Sequence, residues 1–143
     1  MLALSLTCLT LGGCRTGGGT SPSDPPFIVP GLEGQHPAYS DAYDKGKVYY
    51  YNLAGDASQL AARFAQILPS DGWGRWAVSQ HDTIYWSHGF RPFGQGDRDP
   101  DVVLAINEYT TFVPSTGQTA PSATGACAIL NVPNSLAARH SYR

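Results

Sequence analysis

Three carboxylates have the spacing that best suits a metal-ligand set. Asp97, Asp99 and Asp101 occupy alternate positions, and Glu108 stands where a calcium loop has its twelfth residue. Calcium prefers such hard oxygen ligands, but its loop needs a glycine at the sixth position, where this chain has Val102. We therefore interpret the three aspartates as solvated loop residues, with a calcium site as the alternative.

A second polar group is formed by His81, Asp82 and His88. If the three met in space they could hold a metal ion or serve a small hydrolase, but their spacing matches no metal motif. We interpret His81 as a turn residue and His88 as the exposed end of a strand. The sequence contains no G-x-S-x-G elbow, H-E-x-x-H motif, P-loop or dinucleotide fingerprint, so we assign no catalytic residue and no cofactor.

Aromatic side chains are the most unusual feature, with ten tyrosines and tryptophans between positions 39 and 109. Flat amphipathic rings suit stacking on sugars and are also enriched at protein interfaces. The residues that we select as a candidate stacking or docking platform are Tyr50, Trp73, Trp76 and Trp86. The alternative is that the rings form a small aromatic core.

The N-terminus carries an apolar run at positions 2–11 that ends in Leu11-Gly12-Gly13-Cys14. This pattern resembles the lipobox of bacterial lipoproteins, in which small residues precede a cysteine that receives the lipid. The resemblance implies that residues 1–13 are a signal peptide, that Cys8 is removed with it, and that Cys14 is lipidated. It also implies an extracytoplasmic envelope protein, without selecting the inner or the outer membrane. Two or more acyl chains would anchor it stably.

Composition limits the function classes further. The chain has 143 residues, which suits one domain, and its net charge of −2 argues against a nucleic-acid-binding protein. No apolar run reaches the length of a membrane-spanning helix. The remaining cysteine, Cys127, lies in an apolar segment and is expected to be a small buried residue without a disulfide partner.

The chain after Cys14 is expected to be a flexible tether to residue 42, rich in glycine, proline and serine, followed by a folded domain at residues 43–143. The tether's Phe27, Ile28 and Val29 are the part that could dock onto this domain or a partner. The segments read as a strand at 47–53, a helix capped by Asp56 and ended by Pro69, and a hairpin at 75–89. The rest of the domain is expected to contain a loop at 90–101, a strand at 102–113 and a loop at 114–125. An edge strand at 126–132 and a helical turn near Asn134 follow.

This order, β-α-β-β-β, predicts an α+β domain in which one main helix packs on an antiparallel sheet of about four strands. The leading functional hypothesis is a non-catalytic, lipid-anchored envelope protein that binds a protein partner or belongs to an assembly. The alternatives are a module that binds cell-wall or other polysaccharide through exposed tyrosine and tryptophan, and a small envelope hydrolase or metal-binding protein.

Overall fold

Six strands form one antiparallel sheet in the computed structural model, which describes residues 22–75, 83–88 and 102–134. The sheet order is β1-β2-β6-β5-β4-β3. The prediction of an α+β domain with a helix on an antiparallel sheet is confirmed, but the expected count of about four strands is too low. The elements are β1 (Tyr39–Tyr43), β2 (Gly46–Leu53), α1 (Ala57–Ile67), a 3₁₀ turn (Pro69–Asp71), β3 (Trp73–Arg75), β4 (Thr83–His88), β5 (Val102–Val113) and β6 (Gln118–Pro133).

The helix follows its sequence signals closely. The carboxylate of Asp56 caps it by accepting the backbone N–H of Gln59 at 3.0 Å. Phe64 and Leu68, at the i and i+4 spacing of one apolar helical stripe, are fully buried, and the helix packs across β5 and β6. Pro69 opens the 3₁₀ turn that follows, because its ring cannot continue the helical hydrogen bonds.

The core lies between α1 and one face of the sheet. Cross-strand partners share a face, so the pairing of Leu104 with Leu130, and of Leu130 with Tyr49, places all three against the helix. Side chains alternate between the two faces along β2 and β5, and those that point towards the helix are buried. These side chains are Tyr49, Tyr51, Leu53, Val102, Leu104 and Ile106.

Strand β6 departs most from expectation. Its 16 residues begin at Gln118, so most of the loop expected at 114–125 is strand, and only positions 114–117 turn the chain. The composition misled the prediction because Gly, Pro, Ser and Thr here occupy the exposed outer part of a hairpin. The expected edge strand is also wrong, because β6 lies between β2 and β5.

The expected tether proves to be folded from residue 22 onward. We name residues 22–38 the N-terminal strap. Val29 and Leu32 of this strap are only 2% and 4% exposed and belong to the core cluster. Gly31 approaches the helix so closely that a Cβ atom there would lie 2.5 Å from the ring of Phe64. Strand β1 follows, paired with β2 from Tyr39 to Tyr43, so the domain boundary at residue 43 is wrong. The predicted signal peptide, Cys8 and Cys14 lie outside the described residues, as does the chain after Asn134.

Candidate binding face

The sheet has a second face, on the side away from α1. Because side chains alternate along a strand, the neighbours of the inward Leu130 and Leu104 point to this side. Cross-strand pairing joins Tyr39, Tyr50, Ile129, Ala105 and Tyr85 into one row that crosses five strands. Four of these residues are half-buried and Ala105 is nearly buried. The second face therefore presents an aromatic and aliphatic row.

A β-bulge bends the outer half of the β5–β6 hairpin over this face. The register shifts between Glu108 and Thr110, and Tyr109 between them has a positive φ of 53°. Bulges of this kind re-aim a strand. We name residues 110–121 the overhang. Its Phe112 is almost fully buried against the second face.

Two contacts fix the overhang to β2. The side chain of Asn52 donates to the carbonyl of Phe112 at 2.8 Å and accepts the N–H of Phe112 at 2.7 Å. The ring of Phe112 stacks on that of Tyr50 with centroids 4.2 Å apart, and lies 5.0 Å from that of Tyr39. Strands β2 and β5 are separated by β6 in the sheet, so these contacts require that the overhang reaches across it.

Two open clefts flank the overhang, with volumes of about 440 and 520 Å³. Asn107 and Thr119 line both clefts, which therefore meet at these two residues. Tyr50, Ile129 and Gln118 complete the first cleft, while the second adds hydroxyl groups and the carboxylate of Glu108. Amides, hydroxyls and apolar groups dominate the lining, so the clefts can accept hydrogen-bonding and apolar contacts together.

The four aromatic residues selected from the sequence do not come together as a platform. Trp73 and Trp86 are 4% and 3% exposed and lie in the core, because the pairing of Trp86 with Leu104 places it on the helix side. Tyr50 lies on the second face, but Phe112 stacks on its ring. Trp76 lies outside the described residues. The described indoles thus cannot stack on a ligand.

The histidine and carboxylate candidates are only partly described. His88 ends β4 as expected, but its side chain is half-buried rather than exposed. Its Nε2 lies 2.7 Å from the carbonyl oxygen of Asp71, and its ring lies beside that of Trp73. His81, Asp82, Asp97, Asp99 and Asp101 lie outside the described residues. Within residues 22–75, 83–88 and 102–134, no group of three or more His, Cys, Asp or Glu side chains is placed to hold a metal ion.

Burial shifts the titratable groups of β2 and β6 in one direction. It raises the pKa of the Cys127 thiol to about 11 and the pKa values of Tyr49, Tyr50 and Tyr51, with nearby acids adding to the shift in the tyrosines. All four groups are therefore protonated at neutral pH, and none is activated as a nucleophile. Cys127 is fully buried, which confirms its interpretation as a small core residue.

Asn52 and Phe112 organise this face, and sequence reasoning did not single out either residue. Sixty positions separate them, so no local pattern links them. A polar residue among the β-forming residues of β2 was the only signal, and it is common at exposed strand positions.

No protein-family model, curated protein or solved structure matches the chain. In the part of the chain that the structure describes, no helix is long and apolar enough to cross a membrane.

Proposed function

We propose that this chain is a lipid-anchored, extracytoplasmic protein of the bacterial envelope that acts as a non-catalytic binding or assembly subunit. The Leu11-Gly12-Gly13-Cys14 pattern supports the anchor and the location. The observation that carries the binding role is the second face, where a fixed overhang stands above an aromatic and aliphatic row and leaves an open cleft on each side.

The chemistry of this face favours binding over catalysis. Half-buried apolar residues bordered by amides and hydroxyls resemble the composition of protein interfaces, in which tyrosine is enriched. The two hydrogen bonds from Asn52 hold the overhang before a partner arrives, so little conformational entropy is lost on docking. The groups with raised pKa values, in contrast, are less able to transfer protons near neutral pH.

A protein partner fits the clefts better than a glycan does. A glycan platform needs exposed aromatic faces, whereas Phe112 occupies a face of Tyr50 and the described tryptophans are in the core. The clefts instead offer the amides of Asn107 and Gln118 beside Ile129, which suits the mixed polar and apolar surface of a folded or extended polypeptide.

The test is affinity purification of the tagged protein from detergent-solubilised envelopes. We expect a stoichiometric protein partner to copurify with the unaltered chain and to be lost with Gln118→Arg, which places a long charged side chain at the first cleft. The matched control is Gln66→Arg on the exposed side of α1, which should retain the partner. Recovery of the chain without a partner, or equal loss of the partner from both variants, would contradict the proposal that this face binds the partner.

The anchor is tested separately with Cys14→Ser. The unaltered chain should partition into the membrane fraction and carry acyl groups detectable by mass spectrometry, whereas Cys14→Ser should do neither. Equal membrane partition of both proteins would show that Cys14 is not the anchor.

A further inference from the structure

The N-terminal strap presents an apolar surface of its own. Ile28 is 74% exposed, the largest exposure among the bulky apolar side chains of the described residues. Pro25, Pro26 and Phe27 precede it and are half-buried. We name residues 25–28 the apolar tip. Phe27 packs against the core and Val29 is buried, so the backbone on both sides of Ile28 is held to the domain.

Polar contacts fix the start of the strap to the domain. Lys47 of β2 donates to the hydroxyl of Ser23 at 2.6 Å, and the carboxylate of Asp24 lies 2.9 Å from Nδ1 of His36. Glu33 accepts the backbone N–H of Gly31 at 2.8 Å. The chain therefore joins the domain at a defined place beside the apolar tip, and Asp24, the acid that precedes the tip, already has a hydrogen-bonding partner.

The length of chain between Cys14 and the strap limits how far the domain can stand from an anchor. Only residues 15–21 separate Cys14 from Pro22. Fully extended, this connection reaches at most about 28 Å. A compact domain of this size has a diameter on the order of 35 Å. An anchor at Cys14 thus keeps the strap side of the domain close to the lipid surface.

We propose that the apolar tip docks on the membrane surface, with Ile28 inserted at the boundary between headgroups and acyl chains. The proposal rests on the anchor proposed above. An exposed aliphatic side chain gains free energy on leaving water for this boundary, and the short connection raises its local concentration there. The contact orients the domain, because Ile28 and the connection at Pro22 lie on the same strap.

The experiment attaches residues 14–143, which hold every described strand, helix and core residue, to phosphatidylcholine vesicles through a maleimide lipid. Cys14 reacts, because the Cys127 thiol is fully buried. Ile28→Trp and Gln66→Trp place the same indole at two exposed sites. Brominated acyl chains quench the fluorescence only of an indole that enters the bilayer. The tryptophan fluorescence of the unsubstituted protein is subtracted from that of each variant.

We expect quenching several-fold greater for Ile28→Trp than for Gln66→Trp, and a loss of the difference when the chain is not coupled to lipid. Equal quenching of the two variants, or none in either, would overturn the docking of the tip. Because the coupling is chemical, that result is independent of whether cells lipidate Cys14. Failure of the anchor itself is read from membrane partition of Cys14→Ser.

Discussion

Cys127 occupies the middle of the sheet, opposite Asn52 of β2 and Asn107 of β5. Its thiol is fully buried, and an environment of low polarity disfavours the thiolate more than the neutral thiol. This environment explains the rise of its pKa to about 11 from an ordinary value near 9. Its contribution to the protein is packing, because a buried, protonated thiol behaves as a small apolar side chain.

Cys127 predicts a specific loss of stability in alkali. The unfolded chain loses the thiol proton near pH 9 and the folded chain only near pH 11, so rising pH favours the unfolded state between these values. One such group lowers the free energy of unfolding by about 1.4 kcal/mol per pH unit. The melting temperature should fall from pH 9 upward, and less steeply in Cys127→Ala. The buried tyrosines add losses at higher pH. An unchanged slope in the variant would contradict this account of Cys127.

The side chain of Asn52 makes two hydrogen bonds that tie the overhang to β2. Asn52→Ala removes both hydrogen bonds to Phe112, and we expect a loss of about 1–2 kcal/mol in the free energy of unfolding. Urea denaturation measures this loss, and hydrogen exchange should increase in residues 110–121 before it does elsewhere. Asn131→Ala, which removes a single exposed bond from Tyr43, is the matched control. A similar effect of both substitutions would show that Asn52 does not hold the overhang.

The elements that sequence reasoning found are those with local causes. Helix α1 has its cap, stripe and terminating proline within 14 positions, and β5 has a continuous run of β-forming residues. Strand β1 is short and has polar residues at its centre, and the first part of β6 contains the proline, glycine, serine and threonine that are typical of loops. They are strands because a neighbouring strand pairs with each of them through backbone hydrogen bonds, which do not depend on residue type. The contact between Asn52 and Phe112 is hidden for a different reason, since 60 positions separate the two residues.

The folded domain begins earlier in the chain than the composition indicates. A chain starting at Pro22 keeps the strap and β1, whereas one starting at Tyr43 loses Val29 and Leu32 from the core and leaves an edge of β2 unpaired. We expect the first to unfold cooperatively with the stability of the full chain and the second to lose several kcal/mol or fail to fold. Circular dichroism during thermal melting compares the two. Equal melting temperatures would show that the strap adds nothing to the core.

The position of β6 between β2 and β5 also has a consequence for the time course of folding. The β6 residues that pair with β2 lie more than 70 positions further along the chain, so this pairing forms only when residues 126–133 are available. Closing so long a loop costs conformational entropy before any stabilising contact forms between the two strands, and this cost slows folding. We expect the hairpin of β5 and β6, which are near neighbours in the chain, to form early and the β1–β2 hairpin to join it later. The first hairpin of this sheet therefore stays incomplete until the last strand is available to pair with it.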